Sequence, residues 1–78
     1  MITANKLALL TNLPTVMLNE LIREAGYKKD HFLRSQFLGL TNSGQFCYSA
    51  NFLEDREEKQ TKVFVKYDSA GDKITVDY

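Results

Sequence analysis

Up to Gly26 the apolar residues of this chain recur at helical spacing, and beyond it they alternate every second residue almost to Tyr78. A change of period from 3.6 to 2 predicts a short helical unit feeding an antiparallel sheet. Residues 3–11 suit a helix: Thr3 can act as N-cap, and Leu7, Leu10 and Ala8 supply an apolar face. Asn12 tolerates the left-handed backbone that ends a helix. Pro14 suits the first turn of a second helix, where a missing N–H costs nothing. That helix runs to about Ala25 with Met17, Leu18, Leu21 and Ile22 as its buried stripe, widened by Val16 or Ala25, and Gly26 terminates it.

Residues 27–31 are polar and basic and read as a connection. Four strands follow. The first spans Phe32 to Leu40 and ends at Thr41-Asn42-Ser43-Gly44. Its inward set is open: either Leu33 and Phe37, or Phe32, Leu38 and Leu40, and a bulge near Gly39 would let both contribute. The second, Gln45 to Leu53, puts Phe46, Tyr48, Ala50 and Phe52 on one face. The run Glu54-Asp55-Arg56-Glu57-Glu58-Lys59 is a charged loop or a fraying strand extension. The third, Thr61 to Tyr67, aligns Thr61, Val63, Val65 and Tyr67, and the fourth, Lys73 to Tyr78, aligns Ile74, Val76 and Tyr78. Short links favour a meander, because consecutive antiparallel strands need only tight turns. The expected fold is α+β: one domain in which two short N-terminal helices, within residues 1–26, pack on a four-stranded antiparallel meander within residues 32–78.

With 78 residues the core is small, and domains of that size gain margin from disulfides, a metal or a second subunit. Cys47 is the single cysteine, which excludes an intrachain disulfide and fits a reducing compartment. No signal-peptide pattern and no bilayer-length apolar run is present, so the expected location is cytoplasmic, with no membrane partner. Ten basic and ten acidic residues give a formal charge of zero, which argues against a protein that coats nucleic acid by charge alone. Residues 1–36 carry five basic groups against three acidic, and residues 37–78 carry five against seven, so the first part is the better face for an anion.

The helical pair has the spacing of a helix-turn-helix unit: Ala8 as the small residue at the crossing, Asn12 in the turn, and Leu7, Leu13, Leu18 and Leu21 at locking positions. From Ala4 to Arg23 the chain resembles DNA-binding helix pairs, with Asn12 in place of the usual glycine and with Glu20 and Glu24 adding negative charge to the second helix. The resemblance implies duplex DNA as partner, with the second helix in the major groove and Thr15, Val16, Asn19, Glu20 and Arg23 at its exposed positions. Asn19 would then pair with adenine and Arg23 with guanine or phosphate. Lys28, Lys29, His31 and Arg34 would hold the backbone, with Asn42 and Ser43 at the tip of a wing. The bland reading of the same residues is a helical hairpin on a sheet and a solvated connection. Pro14-Thr15-Val16-Met17-Leu18-Asn19-Glu20-Leu21 followed by strands also resembles the opening of a double-stranded-RNA-binding domain, but that family needs a basic final helix where this chain ends on a strand.

Other chemistry is sparse. One His and one Cys assemble no metal set, no glycine-rich phosphate loop exists, and the carboxylates Asp55, Glu57 and Glu58 read as a solvated tip, so no cofactor, metal or catalytic residue is expected. The second functional class is a protein-interaction module. Phe64 and Leu53 fall on the sheet face away from the helices, Phe64 between Lys62 and Lys66, and could centre a homodimer or partner contact. The last strand, Lys73 to Tyr78, could pair with its symmetry mate.

Overall fold

The computed structural model of the chain describes residues 4–27 and 31–78. Two helices, α1 (Ala4–Thr11) and α2 (Thr15–Glu24), precede four strands, β1 (Arg34–Leu40), β2 (Phe46–Glu54), β3 (Glu57–Asp68) and β4 (Lys73–Asp77). The strands form one antiparallel sheet in the order β1-β2-β3-β4. This is the α+β meander that the change of period predicts. Thr3, expected as an N-cap, lies outside the described residues.

Strand alternation builds the core. Phe46, Tyr48 and Ala50 of β2 and Val63 and Val65 of β3 are buried on one face, with Ile74 and Val76 of β4 packed against them. Leu10, Leu18, Ile22 and Phe32 close that core from the helical side. Each such side chain contributes roughly 1.5–3 kcal/mol by leaving water.

The helices meet the sheet differently from the helix-turn-helix expectation. Only Leu10 of α1 is buried, while Leu7 is 40% exposed and Ala8 is also exposed. The cause is the docking direction: α1 lies on the sheet, where the buried Tyr48 hydroxyl donates to the Leu10 carbonyl, one of the orphan acceptors of the last helical turn. Ala8 is left on the outside, its carbonyl accepting from the Asn12 backbone and side chain. In α2, Leu18 and Ile22 are buried, Leu21 is half-buried and Met17 is exposed. Pro14 stands one position before α2, where its carbonyl takes the amides of Met17 and Leu18, both at 3.0 Å. Gly26, at φ 93°, ends α2 in the left-handed conformation, with the Tyr27 amide reaching back 3.3 Å to the Ile22 carbonyl.

The open question in β1 resolves to one residue from each set. Phe32 is buried and Phe37 packs on the core beside Phe46 and Tyr48, whereas Leu33, Leu38 and Leu40 are exposed. A bulge does occur between Phe37 and Gly39: Phe37 pairs with Tyr48 and Gly39 with Cys47, which leaves Leu38 as the extra residue. Gly39 has φ 137°, a value that a side chain disfavours. The charged run after β2 is strand on both sides of a two-residue turn. Asp55 and Arg56 take φ 52° and 66°, and Glu54 pairs with Glu57. A tight hairpin needs this left-handed pair.

Candidate functional site

On α2 the residues Thr15, Asn19 and Arg23 follow one another at four-residue intervals, so they share a stripe. That stripe faces the chain segment that leads into β1. The hydroxyls of Thr15 and Ser35 are 2.8 Å apart. The Asn19 side chain clasps the Phe32 backbone on both sides: its Nδ2 donates to the Phe32 carbonyl at 3.1 Å, and its Oδ1 accepts the Phe32 amide at 2.8 Å. The Arg23 guanidinium donates to Nε2 of His31 at 3.4 Å. Phe32 precedes the β1 ladder, so its backbone groups need a partner from outside the sheet. Asn19 supplies both, and a buried Phe32 is thereby held beneath α2. Thr15, Asn19 and Arg23, three of the exposed positions expected to face DNA, therefore make contacts within the chain. The sequence signal for this stitch is the pair of short polar residues, Thr15 and Asn19, one turn apart and adjacent to the buried Leu18 and Ile22.

Arg34 opens β1 on the helix-free face and pairs with Glu58 of β3 across β2. Asn51, the register partner of Arg34 on β2, donates to the same Glu58 carboxylate at 3.1 Å. The pair is exposed, 65% and 37% for its two side chains, so it contributes at most about 1 kcal/mol. Its charge is nonetheless partly neutralised. Lys28 and Lys29 lie outside the described residues. The structure thus brings Thr15, Asn19 and Arg23 onto one stripe and places Arg34 apart from them, in a separate network.

The helix-free face carries a different feature. Cys47 and Phe64 are register partners, and the bulge puts Leu38 and Gly39 opposite Cys47. Leu38, Cys47 and Phe64 therefore form an apolar row across β1, β2 and β3, in which Leu38 is 51% exposed and the other two are half-buried. Leu53 shares that face but stands opposite Glu58 near the hairpin turn, six residues along β2 from Cys47, or about 20 Å at strand rise. Phe64 and Leu53 are thus two separate points on the surface. Leu33 and Leu40 add exposed apolar area along the β1 edge.

At the other edge, a groove of about 630 Å³ runs between α2 and β4, lined by Leu21, Glu24, Ala25, Ile74, Thr75 and Val76 among others. Tyr27 borders its end: its hydroxyl lies 3.5 Å from the Val76 carbonyl and its ring packs 5.0 Å from that of Tyr78. Burial pushes the Tyr48 phenol up to about 12, which reflects packing around a hydroxyl committed to Leu10. Among the described residues no three His, Cys, Asp or Glu side chains gather as a metal site, and no helix is long and apolar enough to cross a membrane. After β3 comes a fourth strand where the double-stranded-RNA-binding family has a helix. Compared with known proteins, the chain matches no family model, no curated sequence and no solved structure.

Proposed function

We propose that this chain is a cytoplasmic, non-enzymatic interaction module that binds a partner protein through the helix-free face of its sheet. The observation that carries the reading is the row Leu38–Cys47–Phe64, which reaches the free edge of β1. An apolar row that is half-buried at Cys47 and Phe64 and exposed at Leu38 can serve as the centre of a protein contact. The partner surface would be apolar at its centre, seated on Leu38 and Phe64. Leu38 is 51% exposed, so covering what remains contributes about half of the roughly 1.5–3 kcal/mol of a full burial, and Leu38→Lys should weaken binding by about 4- to 12-fold.

The test is quantitative capture with immobilised parent protein, Leu38→Lys, Phe64→Lys and, as control, Leu7→Lys on the exposed side of α1. Support is a protein retained by the parent and the control and lost with both sheet variants, with its affinity then measured from purified components. If no retained protein distinguishes the sheet variants from the control, this face is not the binding surface.

A second reading, contact with nucleic acid as part of a regulatory role, has one observation in its favour: Arg23 and His31 lie side by side and exposed at the end of α2. It would use Arg23 with Lys28 and Lys29 on phosphates, without base reading by Asn19. Selection from a random duplex pool at low and near-physiological salt separates the two readings. A sequence motif retained at the higher salt would favour a DNA reader over the partner-protein module.

A further inference from the structure

We propose that β4 is a self-recognition edge, through which two copies of the chain pair antiparallel about a two-fold axis at Thr75. The strand reads Lys73-Ile74-Thr75-Val76-Asp77, and this order is complementary to itself when reversed. In that register Lys73 faces Asp77 of the second copy, Ile74 faces its Val76, and Thr75 meets its own equivalent. By symmetry every contact off the axis occurs twice, giving two cross-strand ion pairs of opposite sense.

Three observations point to this partner. First, β4 is an outer strand of the sheet, so one side of its backbone has no strand beside it. Second, among the described residues neither Lys73 nor Asp77 has an ion-pair partner within the chain. Asp68 is the register neighbour of Lys73, but its carboxylate accepts the Ala70 amide at 3.0 Å, and Asp77 stands opposite Phe64. Third, Ile74 and Val76 line the groove beside α2 with Leu21 and Ala25. The Ile74 and Val76 of the second copy would enter that groove from the same side, while the charged pairs stay on the wet face. The opposite edge offers no such match. Self-pairing of β1 about Phe37 would set Arg34 against Leu40, and the bulge at Leu38 interrupts its register.

A five-residue strand is about 17 Å long, and alone it buries less than the roughly 1,200 Å² of a standard specific interface. The dimer should therefore be weak, on the order of micromolar, and weakened by salt. It uses the free edge of β4, whereas the Leu38–Cys47–Phe64 row runs to the free edge of β1; the two adjoin where Asp77 stands opposite Phe64.

Sedimentation of the full chain over a wide concentration range tests the proposal. Lys73→Glu and Asp77→Lys each turn two attractions into two repulsions, and each should raise the dissociation constant about 10- to 30-fold. The double variant with both substitutions restores opposite charges in every pair and should dimerise like the parent. Because Lys73→Glu also faces Asp68 within the chain, circular dichroism checks folding, and Asp77→Lys serves as the independent variant. In a Cys47→Ser background, Thr75→Cys places the two sulfurs at the axis, where facing Cα atoms of antiparallel strands lie about 4.5–5.5 Å apart, within disulfide range. Mild oxidation should then give a covalent dimer. A chain that stays monomeric throughout, or a dimer indifferent to both charge reversals and not trapped by Thr75→Cys, overturns the proposal.

Discussion

Replacing Asn19 with alanine removes both hydrogen bonds that join α2 to Phe32, one accepted by its amide oxygen and one donated by its amide nitrogen. The Phe32 N–H and C=O are part-buried and precede the β1 ladder. Leaving a buried backbone group unpaired costs about 1–3 kcal/mol. Partial access to water puts each at the low end, for about 2 kcal/mol together. Alanine is the better helix former at an interior position by roughly 0.6 kcal/mol, so the net loss is about 1.5 kcal/mol. With a urea m-value of about 1 kcal/mol/M for a domain of this size, the midpoint should fall by about 1.5 M. The sign is the discriminating quantity. A solvent-facing Asn19 held ready for a base edge would leave nothing unpaired on truncation, and alanine would then stabilise the helix slightly. Asn19→Asp refines the test, since it keeps the acceptor for the Phe32 amide and loses the donor to the Phe32 carbonyl. It should fall between the parent and Asn19→Ala. A midpoint that is unchanged or raised in Asn19→Ala, at constant m, would refute the claim that this side chain fastens α2 to the sheet.

Three further predictions concern the core and the hairpin. Because the Tyr48 phenol is raised to about 12 from an ordinary value of 10, the folded state holds that proton more tightly than the unfolded chain. Its stabilisation is complete below pH 10 and is lost as pH rises from 10 to 12, on the order of 2 kcal/mol. Denaturant midpoints measured across that range should fall steeply for the parent and less for Tyr48→Phe, and equal slopes would remove Tyr48 as the cause. At neutral pH Tyr48→Phe should itself cost about 1 kcal/mol, through the lost bond to the Leu10 carbonyl. In the β2–β3 turn, Arg56 holds φ 66°. Arg56→Gly should relieve about 1 kcal/mol and raise the melting temperature by roughly 4–8 °C, and a drop in calorimetry would contradict the left-handed turn.

The turn also explains why the charged segment was hard to read. Glu54, Glu57, Glu58 and Lys59 have little intrinsic preference for strand, and Asp55-Arg56 lacks the Asn-Gly or Asp-Gly signature of a two-residue hairpin. The strands extend there because β2 and β3 are already in register from Phe46 and Val65 onward, and cross-strand contacts such as Lys59 with Glu54 lie along the continuation. In β1 a pattern of period 2 could not choose between Phe32 and Leu33, because the chain enters the strand irregularly and is turned inward by Asn19 rather than by the sheet's own alternation. The bulge at Gly39 was legible, since a lone glycine in a strand is a recognisable signal.

What the order of residues determined by itself was the architecture. Alternation at period 2 in three strands dictated which side chains face inward, and Pro14 and Gly26 marked the start and end of the second helix. These are local preferences and one-face burial, which the chain carries wherever it goes. The tertiary structure decided how the helices are used. A stripe of Thr15, Asn19 and Arg23 is equally compatible with a DNA groove or with the inside of the fold, because helical spacing specifies that residues share a face and leaves open what the face meets. Only the docking of α2 against residues 31–35 set that stripe against the chain's own residues, Asn19 on the Phe32 backbone and Thr15 and Arg23 on the Ser35 and His31 side chains, and only the strand register joined Leu38, Cys47 and Phe64 into a row. Both depend on contacts between segments distant in sequence, where a local pattern constrains the partners least.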